Sequence, residues 1–125
     1  MGKAHASDLS ERLLKFSVDV LNLLREIRGG KEIDVIKYQL SKSATSIGAN
    51  YRESQSTTRR EFPAKIRICV REGLESEYWL RVLLSLKILD KERVERLLRE
   101  SEEIIKILKT ILRKTYFLGV TKFSG

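Results

Sequence analysis

The stretch SDLSERLLKFSVDVLNLLREIR, residues 7–28, decides the fold. Its apolar residues Leu9, Leu13, Phe16, Val20, Leu24 and Ile27 recur every three or four positions. At about 100° per residue this spacing gathers them on one side of an α-helix, with the charged residues elsewhere. Gly29-Gly30 marks its end, because glycine propagates a helix poorly and lets the chain turn.

The same period continues outward. From Glu32 to Glu53, Ile33, Ile36, Leu40, Ala44, Ile47 and Tyr51 form a second stripe. The later half of that segment is small and hydroxylic (Ser41, Ser43, Ala44, Thr45, Ser46, Gly48, Ala49), which predicts a close approach by another helix. Ser54 to Thr58 is a polar break. Thr58-Arg59-Arg60-Glu61 then fits the S/T-x-x-E capping box that opens a helix, and Pro63 falls in the first turn. This third helix runs through Ile66, Cys69, Val70, Leu74, Trp79, Leu80, Leu83, Leu84 and Leu86 to about Leu89. Asp90 caps a fourth, whose stripe is Val94, Leu97, Leu98, Ile104, Ile105, Leu108, Ile111 and Leu112.

A chain of 125 residues is one ordinary domain. Long helices joined by short turns run antiparallel to their neighbours, so the fold class is all-α: an up-down-up-down four-helix bundle over residues 8–115. Residues 1–7 read as a disordered or tag-like N-terminus. The tail 116–125, with Phe117, Leu118, Val120 and Phe123, reads as a frayed end or as a segment docking on a neighbouring subunit.

Charge is unevenly spread. The chain carries 25 Lys and Arg against 17 Asp and Glu, a net +8. Residues 37–71 hold eight bases and two acids, whereas residues 1–36 balance at six each. On the third helix Arg60, Arg67 and Arg71 fall within about 40° of one another, and Tyr78 continues the line. With Arg52, Arg59 and Lys65 they form a row suited to phosphate oxygens, since each guanidinium is a permanently charged fork of donors. The same row also reads as a plain solvated face or as a dock for an acidic protein.

Catalysis finds little support. One histidine, His5, and one cysteine, Cys69, leave no disulfide, no cysteine zinc cluster and no histidine-based centre. A di-iron bundle needs Glu-x-x-His pairs, and no histidine stands on any predicted helix. There is no Gly-rich phosphate loop and no nucleophile–base set. The reading is no enzyme, no metal and no cofactor. Cys69 is expected in the core. Glu72 and Glu77 flank the apolar face of the third helix. They are expected to accept bonds from the second helix's Ser and Thr, from Asn50, or from an Arg across a subunit boundary. Trp79 beside Tyr78 reads as core or interface. No signal peptide and no run of about 18 apolar residues occurs, so a cytoplasmic protein without a membrane span is expected.

The run SATSIGANYRES, residues 43–54, resembles the signature of the four helix bundle protein family, also called 23S rRNA intervening-sequence proteins. So do Glu61-Phe62, residues 65–72 (KIRICVRE) and residues 75–80 (ESEYWL). The resemblance covers roughly residues 8–115. It implies a homopentamer, barrel-like around a central pore, with no enzymatic activity. A related branch comprises the accessory variability determinants of diversity-generating retroelements. It implies binding to nucleic acid, RNA more than DNA, and association with a reverse transcriptase. Asn50, Glu53, Glu72 and Glu77 match signature positions, and with Tyr78 and Trp79 they carry structural or interface roles. The expectation is a basic oligomer that binds RNA or single-stranded nucleic acid through Arg52, Arg59, Arg60, Lys65, Arg67 and Arg71. The alternative is a structural protein-interaction oligomer with no nucleic-acid role.

Overall fold

The computed structural model describes residues 8–115 with their side chains. The expectations for residues 1–7 and for the tail 116–125 lie outside the described residues. Four helices follow one another: α1 (Gly2–Arg25), α2 (Lys31–Ser54), α3 (Phe62–Leu86) and α4 (Lys91–Ser124). Each packs on the next, and α4 returns to α1 through the slightest of the four contacts. Cross-helix partners fix the directions. Arg12 meets Glu100 while Arg93 meets Glu26, so α1 and α4 are antiparallel. Lys65 meets Glu53 and Ser76 meets Ser43, so α2 and α3 are too. The bundle is up-down-up-down.

The core follows a coiled-coil repeat. Along α1 and just past its end, buried Leu9, Leu13, Phe16, Val20, Leu23 and Ile27 are spaced alternately four and three, with Ser17 and Leu24 buried beside them. On α3 they are Ile66, Cys69, Gly73, Ser76, Leu80 and Leu83, and on α4 Val94, Leu97, Ser101, Ile104 and Leu108. An alternating repeat keeps one seam of each rod turned inward along its whole length. Burying each large side chain contributes about 1.5–3 kcal/mol, which offsets the entropy of ordering it.

Serine and glycine in these seams bring backbones together. Ser17 donates to the Ala44 carbonyl at 3.1 Å, and an added Cβ on Gly48 would stand 3.4 Å from Leu13 Cβ. The close approach expected for the later half of α2 is therefore present, on two sides. Leu74 and Leu86 of α3 are exposed, while Gly73 and Ser76 occupy inward positions.

The ends differ slightly from expectation. α1 stops at Arg25, not Arg28, since Glu26 and Ile27 donate to Leu23 and Leu24 in a tightened last turn. Ile27 stays buried, and its carbonyl accepts from Lys37 Nζ at 3.0 Å. The Thr58–Glu61 capping box forms in both directions, at 3.1 and 3.2 Å. Regular helix begins only at Phe62, because Pro63 has no donor for the Arg59 carbonyl. α3 ends at Leu86, short of Leu89, where Lys87 turns left-handed at φ 57°.

Candidate nucleic-acid interface

The row proposed from sequence lies at the α2–α3 end of the bundle. Arg52, Arg59, Arg60, Arg67 and Arg71 are all exposed. Among the described residues, Arg52, Arg59, Arg60 and Arg71 enter no ion pair. Lys65 is the exception: its Nζ donates to Glu53 Oε1 at 2.9 Å and ties the end of α2 to the start of α3. It acts as a staple between the two helices. The reason is geometric, since Lys65 stands on the side of α3 turned to α2, about 200° around the helix from Arg67.

That orientation adds a second row that the sequence reading missed. An added Cβ on Gly73 would stand 3.0 Å from Ile105 Cγ1, which sets α3 and α4 level at this point. Six residues away in opposite directions lie Arg67 and Ile111. On α4, Ile105 and Glu102 both face α3, the latter reaching Arg81 at 3.9 Å. Lys109 follows them by four and seven residues, and Arg113 follows Lys109 by four, so both continue the α3-facing flank. Lys106 lies beside them, 3.7 Å from Glu103. Residues 104–115 hold Lys106, Lys109, Arg113 and Lys114 and no acid; residues 62–71 hold none either. The clue was present in the sequence, but balanced charges earlier on α4 hid it.

Toward the α3–α4 turn the same face becomes neutral. Arg81 lies 3.8 Å from Glu77, and Glu95 forms ion pairs with Lys91 and Arg99 at 3.9 and 3.8 Å. The α3/α4 face is thus electrically polarised, with its charges balanced at one end and bases in excess at the other. Packed helices lie about 8–10 Å apart, so the bases of α3 and those of α4 stand on neighbouring rods at this end. Flexible chains of phosphate need no finer geometry than that.

The carboxylates expected to be structural stand on other flanks. Glu72 is half-buried beside Ser46 of α2; burial and Glu75 push its carboxyl above the usual range, and the bond from Ser46 pulls the other way. Glu75 accepts from Trp79 Nε1 at 3.4 Å. Asn50 does not meet Glu72: its Nδ2 donates to the Ser46 carbonyl at 2.8 Å. Glu77 pairs with Arg81. Trp79 packs against the core, as expected, with Tyr78 edge-on to it at 5.1 Å between ring centroids. Tyr78 itself is 58% exposed, so it is not a core residue of the protomer. Cys69 is buried, donates to the Ile47 carbonyl, and burial drives its thiol up to about 12. Among the described residues no three His, Cys, Asp or Glu stand together as a metal site, and no helix is long and apolar enough to cross a membrane.

The model of the 23S rRNA-intervening sequence protein family matches residues 7–110. A crystal structure from Bacteroides thetaiotaomicron VPI-5482, described as a protein of unknown function from the S23 ribosomal protein family, is 34% identical. The match covers 83% of this chain and 97% of that one, with a TM-score of 0.75. No curated protein matches the chain.

Proposed function

The chain belongs to the 23S rRNA-intervening sequence protein family, and from that membership we propose that it is a non-enzymatic, homo-oligomeric bundle that grips RNA or single-stranded nucleic acid by its phosphates. The observation that carries the reading is the two-row basic strip at the α2–α3 end, Arg60, Arg67 and Arg71 on α3 with Lys109 and Arg113 on α4. Arg52 and Arg59 extend it around the end of the bundle. Such a strip offers charge and reach without base-reading groups, so binding follows the backbone and discriminates sequence poorly. In a pentamer of the kind the family resemblance implies, five copies of +8 carry about +40 and concentrate polyanions at low salt. Sequence choice then falls to a partner, for which a reverse transcriptase is the candidate, and the bundle serves in the cytoplasm as an adaptor for its template.

A titration against random single-stranded RNA over a salt series tests this. Affinity is expected to fall steeply with salt, with each lost phosphate contact reducing the log–log slope by about 0.7. Reversing Arg60, Arg67 and Arg71 to Glu is expected to abolish binding. Exposed Leu74 and Tyr78 beside the strip favour the rival, a protein-interaction oligomer docking an acidic partner. Absence of RNA binding at about 50 mM salt decides for that rival.

A further inference from the structure

We infer, building on the phosphate-binding reading above, that Tyr78 stacks on an unpaired base of the strand the basic strip holds, giving single strands an affinity that duplex does not receive. On α3, Arg67, Arg71, Leu74 and Tyr78 follow one another at steps of four, three and four residues. At about 100° per residue they fall within about 60° of one another, on one outer line. All four are exposed. Arg71 and Tyr78 stand about 10 Å apart along the axis, a distance that a short single strand spans. The line thus offers charge first and an aromatic ring next, with Leu74 as an apolar rest between them.

The ring is both open and braced. Tyr78 is 58% exposed. It meets Trp79 nearly at right angles, 74° between planes and 5.1 Å between centroids. Trp79 is itself anchored, since it packs against the core and its Nε1–H donates to Glu75 at 3.4 Å. A perpendicular neighbour covers at most one face of the tyrosine ring and leaves the other free. A ring held in this way loses little freedom when a base settles on it, so more of the stacking energy appears as affinity. Tyr38 makes the contrast. It is 64% exposed, but no ring braces it among the described residues, and it lies about 20 Å along α2 from Arg52.

The chemistry of the strand says which kind gains. In a duplex the faces of each base are covered by its neighbours, whereas unstacked bases of a single strand lie open to aromatic side chains. Every base has such a face, so Tyr78 adds affinity without choosing sequence, in keeping with a strip that binds through phosphates.

Anisotropy titrations of the full chain test this with three probes: a single-stranded oligoadenylate, its duplex with oligouridylate, and an abasic strand of equal phosphate number. Tyr78→Ala is expected to weaken binding of the oligoadenylate about 5- to 100-fold and to leave the duplex and the abasic strand unchanged. Its salt slope is expected to match the wild type, because no phosphate contact is lost, whereas Arg71→Glu lowers the slope. Tyr78→Phe keeps the ring and is expected to bind as the wild type does; Tyr38→Ala is expected to change nothing. An oligoadenylate affinity unmoved by Tyr78→Ala, or an equal loss for the abasic strand, overturns the inference and leaves the basic strip standing. Failure of all three probes to bind the wild type overturns both, the outcome expected if Leu74 and Tyr78 dock an acidic protein instead.

Discussion

The hydroxyls of Ser43 and Ser76 meet 2.8 Å apart in the middle of the α2–α3 interface, where both side chains are buried. Each also has a carbonyl of its own helix within reach, Leu40 at 3.4 Å and Glu72 at 2.9 Å. The pair lets two helices touch closely while leaving no polar atom unsatisfied. Ser76→Ala strands part of Ser43's capacity and is expected to cost about 1 kcal/mol. The Ser43→Ala/Ser76→Ala double variant is expected to cost less than the two singles added, as residues in contact do. Strict additivity in urea melts counts against a direct bond.

Two helical glycines respond oppositely to a methyl group. At Gly48 the new Cβ meets Leu13 at an ordinary 3.4 Å, so Gly48→Ala is expected to stabilise by about 0.5–1 kcal/mol through helix propensity. At Gly73 it meets Ile105 at 3.0 Å, and Gly73→Ala is expected to lose that gain to overpacking. Thermal melts of both variants compare them directly; equal stabilisation excludes a tight contact at Gly73.

Glu72 gives a dependence on pH. Burial and Glu75 raise its carboxyl in the folded protein, so ionisation opposes folding. The penalty is absent below the ordinary glutamate pKa, where both states are protonated. It grows as pH rises through the window up to the folded pKa, and is full above it. Glu72→Gln is therefore expected to raise the melting temperature at pH 7 and to lose that advantage near pH 4. Destabilisation at pH 7 signals instead that the bond with Ser46 outweighs burial.

The α4 row makes its own prediction. Lys109→Glu with Arg113→Glu is expected to weaken RNA binding as much as Arg67→Glu with Arg71→Glu does. Lys87→Glu with Lys91→Glu, at the other end of the bundle, is expected to leave it unchanged. If only the α3 pair matters, the phosphates follow one helix and not the groove between two.

The amphipathic repeats of α1 and α2 were largely legible, because most core positions there are large apolar residues, although Leu23 escaped the α1 stripe. The α3 repeat was not. Its line from Ile66 to Leu83 becomes regular only when Gly73 and Ser76 are admitted, and no hydrophobicity count admits them. Leu74, the large apolar residue beside Gly73, is outside.

Sequence alone determined four antiparallel rods, their caps at Thr58 and Asp90, and an excess of bases around the second turn. Local spacing suffices for that, since a helix's faces follow from its own period. Tertiary structure decided how the bases are distributed: Lys65 pairs with Glu53, and the bases of residues 104–115 lie on the rod packed against α3. Which residues become neighbours depends on the register between rods, and that register is set by the fit of small residues such as Gly73 against Ile105, a property of two helices at once.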